Sequence, residues 1–481
     1  MQYYTISFKQ RNTPAGRAMA LRAALYRCRA FIDAGPWGVD LNGMPRPPRP
    51  HARPQVGHAP GSACPRCHGD LASAAMVAIA PSVRHDATVA GLVGLAHFTS
   101  HFFQIAFAPL FPLMKTEFGA DWTELGLIVT VFFIASGICQ AFAGMVVDRL
   151  GARGVLAAGI ALLAGSTALA SLASELWMIY PLAALAGVGN SVFHPADFSI
   201  MTSKIAHNRL GRVYSVHAFL GTLGYAAAPA VVGALAYVFD WRTALLIAGC
   251  AGLAVAVMVW RSPILNVAGS AHAHDAQAKA ATISYRELLA MPAIMIAFAY
   301  FIFTAAAGIG LQSFSVAAFI DIYGVSLPAA TNALSAYLVA SASGMLIGGI
   351  VADQTPKHHW VAAAGLVTAA VLMVFLASAG PGYYAAAALM AGAGLAVGMT
   401  GPSRDMLVKA ATPPGSTGKV FGFVYSGLDL GALIGPMIFG LLMDMHLPHH
   451  IFLAVMVMQI LGVFTAFQVR RSSEAARAAA P

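Results

Sequence analysis

Charged residues are scarce in this chain. They make up 10% of its 481 residues, while 58% are apolar and the mean hydropathy is +0.71. A soluble protein needs a much larger charged share to cover its surface, so the composition excludes a soluble globular protein and favours one embedded in lipid. Cysteine is scarce too, with five residues scattered along the chain. That scatter excludes the disulfide framework of a small secreted domain.

Motifs of enzymes and of metal sites are missing or incomplete. No HExxH or GxSxG occurs, and PPGSTGKV (413–420) has Gly415 and Gly418 three apart where a phosphate-binding loop needs five. The stretch ACPRCHG (63–69) has the CxxCH spacing of a haem attachment site, but no second cysteine pair lies nearby to complete a zinc site. We therefore predict that the chain is not an enzyme and has no metal site and no cofactor.

The first 85 residues differ from the rest of the chain. They hold 11 of the 28 Lys and Arg residues against three Asp, and they include MPRPPRPHARPQVGHAPG (44–61). Such a tract cannot bury enough apolar surface to offset chain entropy, so we predict that 1–85 is a disordered leader. The alternative is that translation starts later, at Met76 for example, and that the leader is a start-site artefact. The excess positive charge belongs to this leader, which argues against a nucleic-acid partner.

From residue 87 onward, charge-poor stretches of about 20 residues recur with polar punctuation, and this is the length that crosses a bilayer. The pattern predicts twelve transmembrane helices, near 87–114, 122–147, 155–173, 177–201, 212–238, 242–260, 292–320, 328–351, 360–379, 383–409, 417–443 and 450–469. We expect a six-helix half over 86–260, a linker over 261–290, a second half over 291–470 and a tail over 471–481.

Basic residues in the short loops predict the orientation of these helices. Fourteen lie in the loops after even-numbered helices and in the C-terminal tail, whereas the loops after odd-numbered helices offer only Lys115 and Arg242. Because basic loops stay inside, we predict that both termini are cytoplasmic, in the cytoplasmic membrane of a bacterium. The CxxCH stretch then lies on the wrong side of the membrane for haem attachment, and we interpret its spacing as chance.

The two predicted halves repeat each other without gaps over long runs. At an offset of 205, Gly119 matches Gly324 and Asp148 matches Asp353. At an offset of 207 the matched pairs include Gly187 with Gly394, Pro195 with Pro402 and Gly224 with Gly431. Two six-helix halves in parallel repeat predict a transporter whose site lies near the membrane midplane, between the halves.

On these residues the chain resembles the major facilitator superfamily. GMVVDRLGARGVL (144–156) is similar to that superfamily's loop between helices 2 and 3, and the matching residues are Gly144, Asp148, Arg149, Gly151 and Arg153. The second copy, GGIVADQTPKHHW (348–360), keeps Gly349 and Asp353 but has Gln354 where a basic residue usually stands. The resemblance implies an all-α membrane fold of twelve helices in two pseudo-symmetric halves, with Asp148 and Arg149 in a gate between helices 2 and 11.

Two further stretches narrow the resemblance. GVGNSVFHPADFS (187–199) and AHFTSHFFQIAFAPLFPLMKTEFG (96–119) are most similar to the fosmidomycin-resistance type of efflux transporter. That similarity implies the export of a small drug-like molecule, such as an organic anion, in exchange for protons. Nothing in the sequence requires an oligomer, so we expect a monomer. Two alternatives stay open: proton-coupled uptake of a small organic anion, and a membrane sensor that keeps the fold without transport.

Polar residues at membrane depth are costly and are therefore candidates for the transport site. His97, His101 and Gln104 share one face of helix 1, and Asn190, His194 and Asp197 repeat that spacing on helix 4. The superfamily resemblance implies that helices 1, 4, 7 and 10 line a central cavity. We expect both polar stripes to face that cavity, together with Gln312 and Arg404.

Each charged candidate has two interpretations. His194 with Asp197 one turn later is a candidate for proton coupling, or else the pair satisfies itself and fixes a bend at Pro195. Arg404 either acts in transport, by binding an anionic substrate or by pairing as a gate with its repeat-equivalent Asp197, or has a static structural role. Asp405 is expected to point away. Asp429 either carries a proton or has a partner on helix 10. At His101 the family has an acidic residue, so its role there cannot be transferred.

Overall fold

The computed structural model describes residues 83–206, 209–267, 285–378, 382–413 and 417–478. Almost all of the predicted leader and most of the predicted linker lie outside these residues, as does the CxxCH stretch. Every regular element in the described part of the chain is a helix. Twelve helical segments there are long and apolar enough to cross a membrane, which agrees with the predicted number.

We number the spanning segments α1 to α12. Their bounds are α1 Val83–Gln104, α2 Trp122–Leu150, α3 Ala152–Ala170, α4 Ile179–Asn190 with Phe193–Lys204, α5 Leu210–Val238, α6 Trp241–Trp260, α7 Pro292–Tyr323, α8 Leu327–Gln354, α9 His358–Ala377, α10 Tyr383–Ala411, α11 Thr417–Asp444 and α12 His450–Ala478. Shorter helices cover Phe111–Phe118 and Tyr285–Leu289, and 3-10 turns cover Ala108–Leu110, Leu176–Met178 and Pro263–Leu265.

Two of the predicted helices are broken. We predicted one helix over 87–114, but α1 ends at Gln104, and the 3-10 turn that follows contains Pro109. The two pieces of α4 are separated at 191–192. Pro195 has no N–H to donate to the carbonyl of Ser191, four residues earlier, so the helical hydrogen bonding is interrupted there. The predicted helix over 177–201 is thus interrupted close to Pro195, whereas the repeat-equivalent Pro402 lies inside an unbroken α10.

Repeat-related glycines pack repeat-related pairs of helices. A Cβ on Gly187 of α4 would lie 2.2 Å from the carbonyl oxygen of Phe132 on α2, and one on Gly394 of α10 would lie 2.1 Å from that of Tyr337 on α8. These distances are far below van der Waals contact, so only glycine lets the helices approach backbone to backbone. The internal repeat seen in the sequence thus has the same packing in both halves.

A glycine ridge on α11 packs against α7. Gly427, Gly431 and Gly435 recur every four residues, and a Cβ on each would lie 2.3 to 2.8 Å from a carbonyl oxygen of α7. The ridge therefore lets α11 pack closely against the backbone of α7.

The two halves meet along α2 with α11 and along α5 with α8. Asp444 at the end of α11 accepts hydrogen bonds from the backbone N–H groups of Trp122 (2.7 Å) and Thr123 (2.9 Å), which begin α2. A Cβ on Gly233 of α5 would lie 2.6 Å from the methyl carbon of Thr331 on α8. These contacts all lie near the loops that follow odd-numbered segments.

At their opposite ends the two halves are in less contact with each other. Gly144 at the end of α2 and Gly349 at the end of α8 have no atom of another segment within 4 Å of an added Cβ. Asp148 and Arg149 are exposed there and form no hydrogen bond or ion pair with another described residue. The halves therefore separate toward the loops after even-numbered segments, and we call the space between them the central gap.

Candidate functional site

Four histidines and one aspartate meet where α1, α4 and α5 pack together. We call them the histidine cluster: His97, His101, His194, Asp197 and His217. Oδ2 of Asp197 lies 2.9 Å from Nε2 of His217 and 3.6 Å from Nδ1 of His97. The rings of His97 and His217 stack with their centroids 3.8 Å apart, and His101 lies 4.3 Å from His97.

The cluster is mostly hidden from the central gap. Asp197 has no exposed surface, and His97 and His217 are 4% and 5% exposed, whereas His194 is exposed. The expectation that both polar stripes face an open cavity is therefore wrong for His97 and Asp197, because α5 covers them. A glycine makes this cover possible, since a Cβ on Gly221 would lie only 2.6 Å from Nε2 of His97.

His217 is the functional candidate that sequence reasoning missed. The predicted His194–Asp197 pair forms no hydrogen bond, and Asp197 takes His217, 20 residues further along the chain, as its closest partner. A signal was available, because His217 is an ionisable residue inside a spanning segment and such residues are functional candidates by default. Its partner could not be read from the sequence, because the two residues lie on different helices.

Gln104 and Asn190 belong to a separate network of amides and hydroxyls. Oδ1 of Asn190 accepts hydrogen bonds from Ser100 (2.8 Å) and from Nε2 of Gln104 (3.1 Å), and its Nδ2 donates to Ser136 (2.9 Å). The hydroxyl of Tyr225 donates to Oε1 of Gln104. This network joins α1, α2, α4 and α5, so both amides serve the packing of the first half in this conformation.

Arg404 lies on α10 in the second half. Its Nε donates to Oδ1 of Asp405 at 3.0 Å, and its guanidinium lies 4.5 Å from the ring centroid of Phe301 and 5.8 Å from that of Tyr425. Asp405, which we expected to point away, accepts this hydrogen bond because the long arginine side chain reaches its neighbour. The predicted Arg404–Asp197 pair is not formed, since Asp197 is buried in the other half.

A cavity of about 190 Å³ borders Arg404 within the second half. Its polar lining comes from α7, α8, α10 and α12, and includes Tyr300, Thr304, Ser341, Thr400, Arg404 and Gln459. The hydroxyl of Tyr300 and Oε1 of Gln459 are buried without a hydrogen-bond partner. The cavity has room for several water molecules and so accommodates a small ligand group. Buried polar atoms that face such a space are suited to bind one.

Asp429 on α11 faces the other half of the molecule. It is half-buried, and its Cβ lies 3.7 Å from the position of a Cβ on Gly137 of α2. It forms no hydrogen bond or ion pair with another residue that the structure describes, so the expected partner on helix 10 is absent. Gln312 on α7 is also half-buried, and its Oε1 is buried without a partner.

The predicted gating residues lie at the loop between α2 and α3 and at its repeat. Gly151 has a φ of +85°, a value that favours glycine, and it separates the two helices. The guanidinium of Arg153 lies 5.6 Å from the ring centroid of Trp260, and Asp353 is exposed. The gating role of these residues stays a prediction.

Twelve spanning segments in two repeated halves, with ionisable groups at membrane depth, define a multi-pass membrane transporter. The family model described as the Major Facilitator Superfamily matches residues 93–330 and 296–480, and the chain belongs to this superfamily.

Individual relatives are distant. The chain is 24% identical over 277 residues to the fosmidomycin resistance protein of Escherichia coli (strain K12), an alignment that covers 56% of this chain and 66%, just under two thirds, of that relative. It is 25% identical over 376 residues to the uncharacterized MFS-type transporter YfnC of Bacillus subtilis (strain 168), which covers 77% of this chain and 90% of YfnC. A bacterial homologue of the human lysosomal transporter Spinster, solved in an inward-facing and occupied conformation, shares the fold, with a TM-score of 0.70 and 16% identity over 81% of this chain and 98% of its own.

Proposed function

We propose that this chain exports a small anionic, drug-like molecule in exchange for protons by alternating access. The observation that carries the proposal is the placement of Arg404 on a 190 Å³ cavity with two unpartnered buried polar atoms, those of Tyr300 and Gln459. The similarity to a fosmidomycin resistance protein supports a drug-like substrate. Proton-coupled uptake of an organic anion is the second candidate, because the same cavity and arginine would serve it.

The orientation follows from the basic loops. If loops after even-numbered segments face the cytoplasm, both termini do so too, and the central gap opens to the cytoplasm. An exporter receives its substrate from that side. Because every element of the site lies within one chain, a monomer in a bacterial cytoplasmic membrane is sufficient.

Arg404 is held in place to bind an anion. Phe301 lies under the guanidinium and Asp405 engages its Nε, which restricts a side chain that would otherwise sample many rotamers. The terminal nitrogens of an arginine form a planar fork that matches two oxygens of a carboxylate or phosphonate. Lysine offers a point charge without this fork.

We assign proton coupling to Asp429. This carboxyl lies at the contact between the halves, so its surroundings change when the halves rock. A bare carboxylate is costly when water is removed from it, so closing the gap favours the protonated form and opening it favours release. Binding of a proton is thereby linked to the conformational state. The competing assignment is His194 with Asp197, and the same assay decides between the two.

Fosmidomycin susceptibility tests the anion site. In an efflux-deficient bacterium we expect this chain to raise the resistance to fosmidomycin. At equal membrane abundance, the increase given by Arg404→Lys should be at least about tenfold smaller than that given by the wild-type chain. Arg261→Lys, at the exposed end of α6, is the matched control and should keep it. Equal resistance with Arg404→Lys would contradict the role of the fork.

Proton movement tests coupling and direction. In everted vesicles with an acidic interior, substrate should release protons for an antiporter and draw them in for a symporter; ligand binding with no proton movement would indicate a sensor. We expect Asp429→Asn to abolish the proton signal and retain substrate binding, while Asp321→Asn, an exposed acid on α7, should keep both. A full signal in Asp429→Asn that His194→Ala removes would transfer the coupling role to the histidine.

A further inference from the structure

We propose that the histidine cluster is a binding site for one divalent transition-metal ion of the Zn²⁺ type, with His97, Asp197 and His217 as ligands. The proposal does not depend on the substrate or the direction of transport, because all three residues belong to the first half and none borders the cavity beside Arg404. The sequence predicts no metal site, because these ligands come from α1, α4 and α5 and show no local spacing motif.

The separations of the ligand atoms fit a metal ion. One possible ligand atom from each residue lies within 4.8 Å of the other two. The measured separations from Oδ2 of Asp197 are 2.9 Å to Nε2 of His217 and 3.6 Å to Nδ1 of His97. In a tetrahedral site with bonds of about 2.0 to 2.1 Å, ligand atoms lie roughly 3.3 Å apart. The two measured values bracket this distance, so side-chain rotations that separate the stacked rings of His97 and His217 would admit an ion.

Three polar atoms of the cluster are buried and have no hydrogen-bond partner among the described residues. They are Nδ1 of His97, Nδ1 of His101 and Oδ1 of Asp197. Buried polar atoms without partners are rare in folded proteins because each one is costly. An ion bound by His97 and Asp197 would occupy the first of these atoms directly and neutralise the carboxylate that carries the third. His101 adjoins the site, with its ring centroid 4.3 Å from that of His97.

Charge and ligand type also favour a transition metal. Asp197 is fully buried, and within the described residues its ion-pair partners are histidines and no Lys or Arg. A buried carboxylate needs a compensating cation. Two imidazoles and one carboxylate suit Zn²⁺ and its neighbours, whereas Mg²⁺ and Ca²⁺ select oxygen ligands.

The geometry indicates a resident ion rather than cargo. The three ligands are at most 5% exposed and lie within one half, so rocking of the halves would not release the ion. The exposed His194, whose ring centroid lies 5.4 Å from that of His97, marks a route of access from the surface. An ion in this position would join α1, α4 and α5.

Cobalt titration of the purified full chain, prepared without a histidine tag, tests the proposal. Co²⁺ in a four-coordinate nitrogen and oxygen site gives intense visible d–d bands without a sulfur charge-transfer band. We expect one Co²⁺ per chain, displaced by Zn²⁺, and at least about a 100-fold loss of affinity in His217→Gln and in Asp197→Asn, since loss of an outer-shell partner alone costs about 10- to 100-fold. His450→Gln, an exposed histidine at the start of α12, is the matched control and should bind as before.

Cysteines supply the second control. Cys64→Ser with Cys67→Ser should leave the cobalt spectrum unchanged; a sulfur charge-transfer band that this double variant removes would place the metal on the leader and overturn the proposal. The absence of stoichiometric binding, or equal binding in His217→Gln, would overturn it too. Where the buried variants fail to fold, X-ray absorption at the zinc edge of the wild-type chain decides, since a shell without imidazole nitrogen contradicts the proposed ligands.

Discussion

Removing the carboxylate of Asp444 should shift the equilibrium between the two conformations of the transporter. Asp444 closes the end of α11 onto the start of α2, where it accepts hydrogen bonds from the backbone N–H groups of Trp122 and Thr123 and from the hydroxyl of Thr123 (2.5 Å). It is an anion at a helix N-terminus, but it comes from the other half of the molecule. The contact is therefore made only while the halves are closed at this end.

The magnitude follows from the bonds that are lost. A cap of this kind is worth about 0.5–2 kcal/mol, and a hydrogen bond to a charged group about 1.5–3 kcal/mol. When the halves open at this end, water replaces part of the lost hydrogen bonding. We therefore expect Asp444→Ala to destabilise the observed conformation by about 2–3 kcal/mol. At about 1.4 kcal/mol per factor of ten, this is roughly a 30- to 150-fold change in the ratio of the two states.

Spin labels report the shift. Labels at Arg212 and Gln354, both exposed at the separated ends of α5 and α8, should show a shorter distance population in Asp444→Ala. Glu124→Ala is the matched control, because Glu124 caps the same helix from within its own half by accepting from the N–H of Asp121 at 2.9 Å. An unchanged distance distribution in Asp444→Ala, or an equal shift in Glu124→Ala, would refute the reasoning.

Three further predictions concern stability in detergent. Gly431→Ala should lower the melting temperature, because its Cβ would lie 2.3 Å from the carbonyl oxygen of Ile302 and overpacking costs about 1–3 kcal/mol. Gly422→Ala on the same helix is the control: its Cβ meets no neighbour within 4 Å, so the melting temperature should stay unchanged. Asn190→Ala should cost about 1–3 kcal/mol, because it leaves buried hydroxyls unpaired; a loss no larger than that of an exposed Asn or Ser would contradict this. Hydrogen bonds from Thr243 hold the pKa of Asp240 below its usual range, so Asp240→Ala should cost about 1 kcal/mol at neutral pH, and the difference should shrink as the pH falls through the lowered pKa. A pH-independent difference would show that the carboxylate is not the cause.

Most of the fold can be predicted from the sequence because the bilayer imposes a simple requirement. Each crossing needs a continuous apolar helix of about 20 residues, so hydropathy alone predicts twelve segments in two halves, and the structure has them. The internal repeat also predicts which helices pack alike, since Gly187 and Gly394 occupy equivalent contacts. The helix breaks were harder to predict, because Pro195 interrupts α4 while the matching Pro402 leaves α10 intact.

The site was only partly predictable. Intramembrane polarity indicated His97, Asp197, Arg404 and Asp429 as candidates; the first two lie in the histidine cluster, Arg404 borders the cavity of the second half, and Asp429 lies at the contact between the halves. The partner predicted for Asp197 was wrong, because the side chain one turn away is not necessarily the nearest. Asp197 has His217 as its closest partner, from a helix that no spacing rule connects to it.

The number, length and repetition of the spanning helices follow from the sequence alone, since these depend on local composition and on the thickness of the bilayer. The rotation of each helix about its axis, and the neighbour that it meets, are set by the packing of the folded chain. That rotation depends on close packing at positions such as Gly221, where the absence of a side chain brings α5 against His97 and His101 and so assembles the histidine cluster.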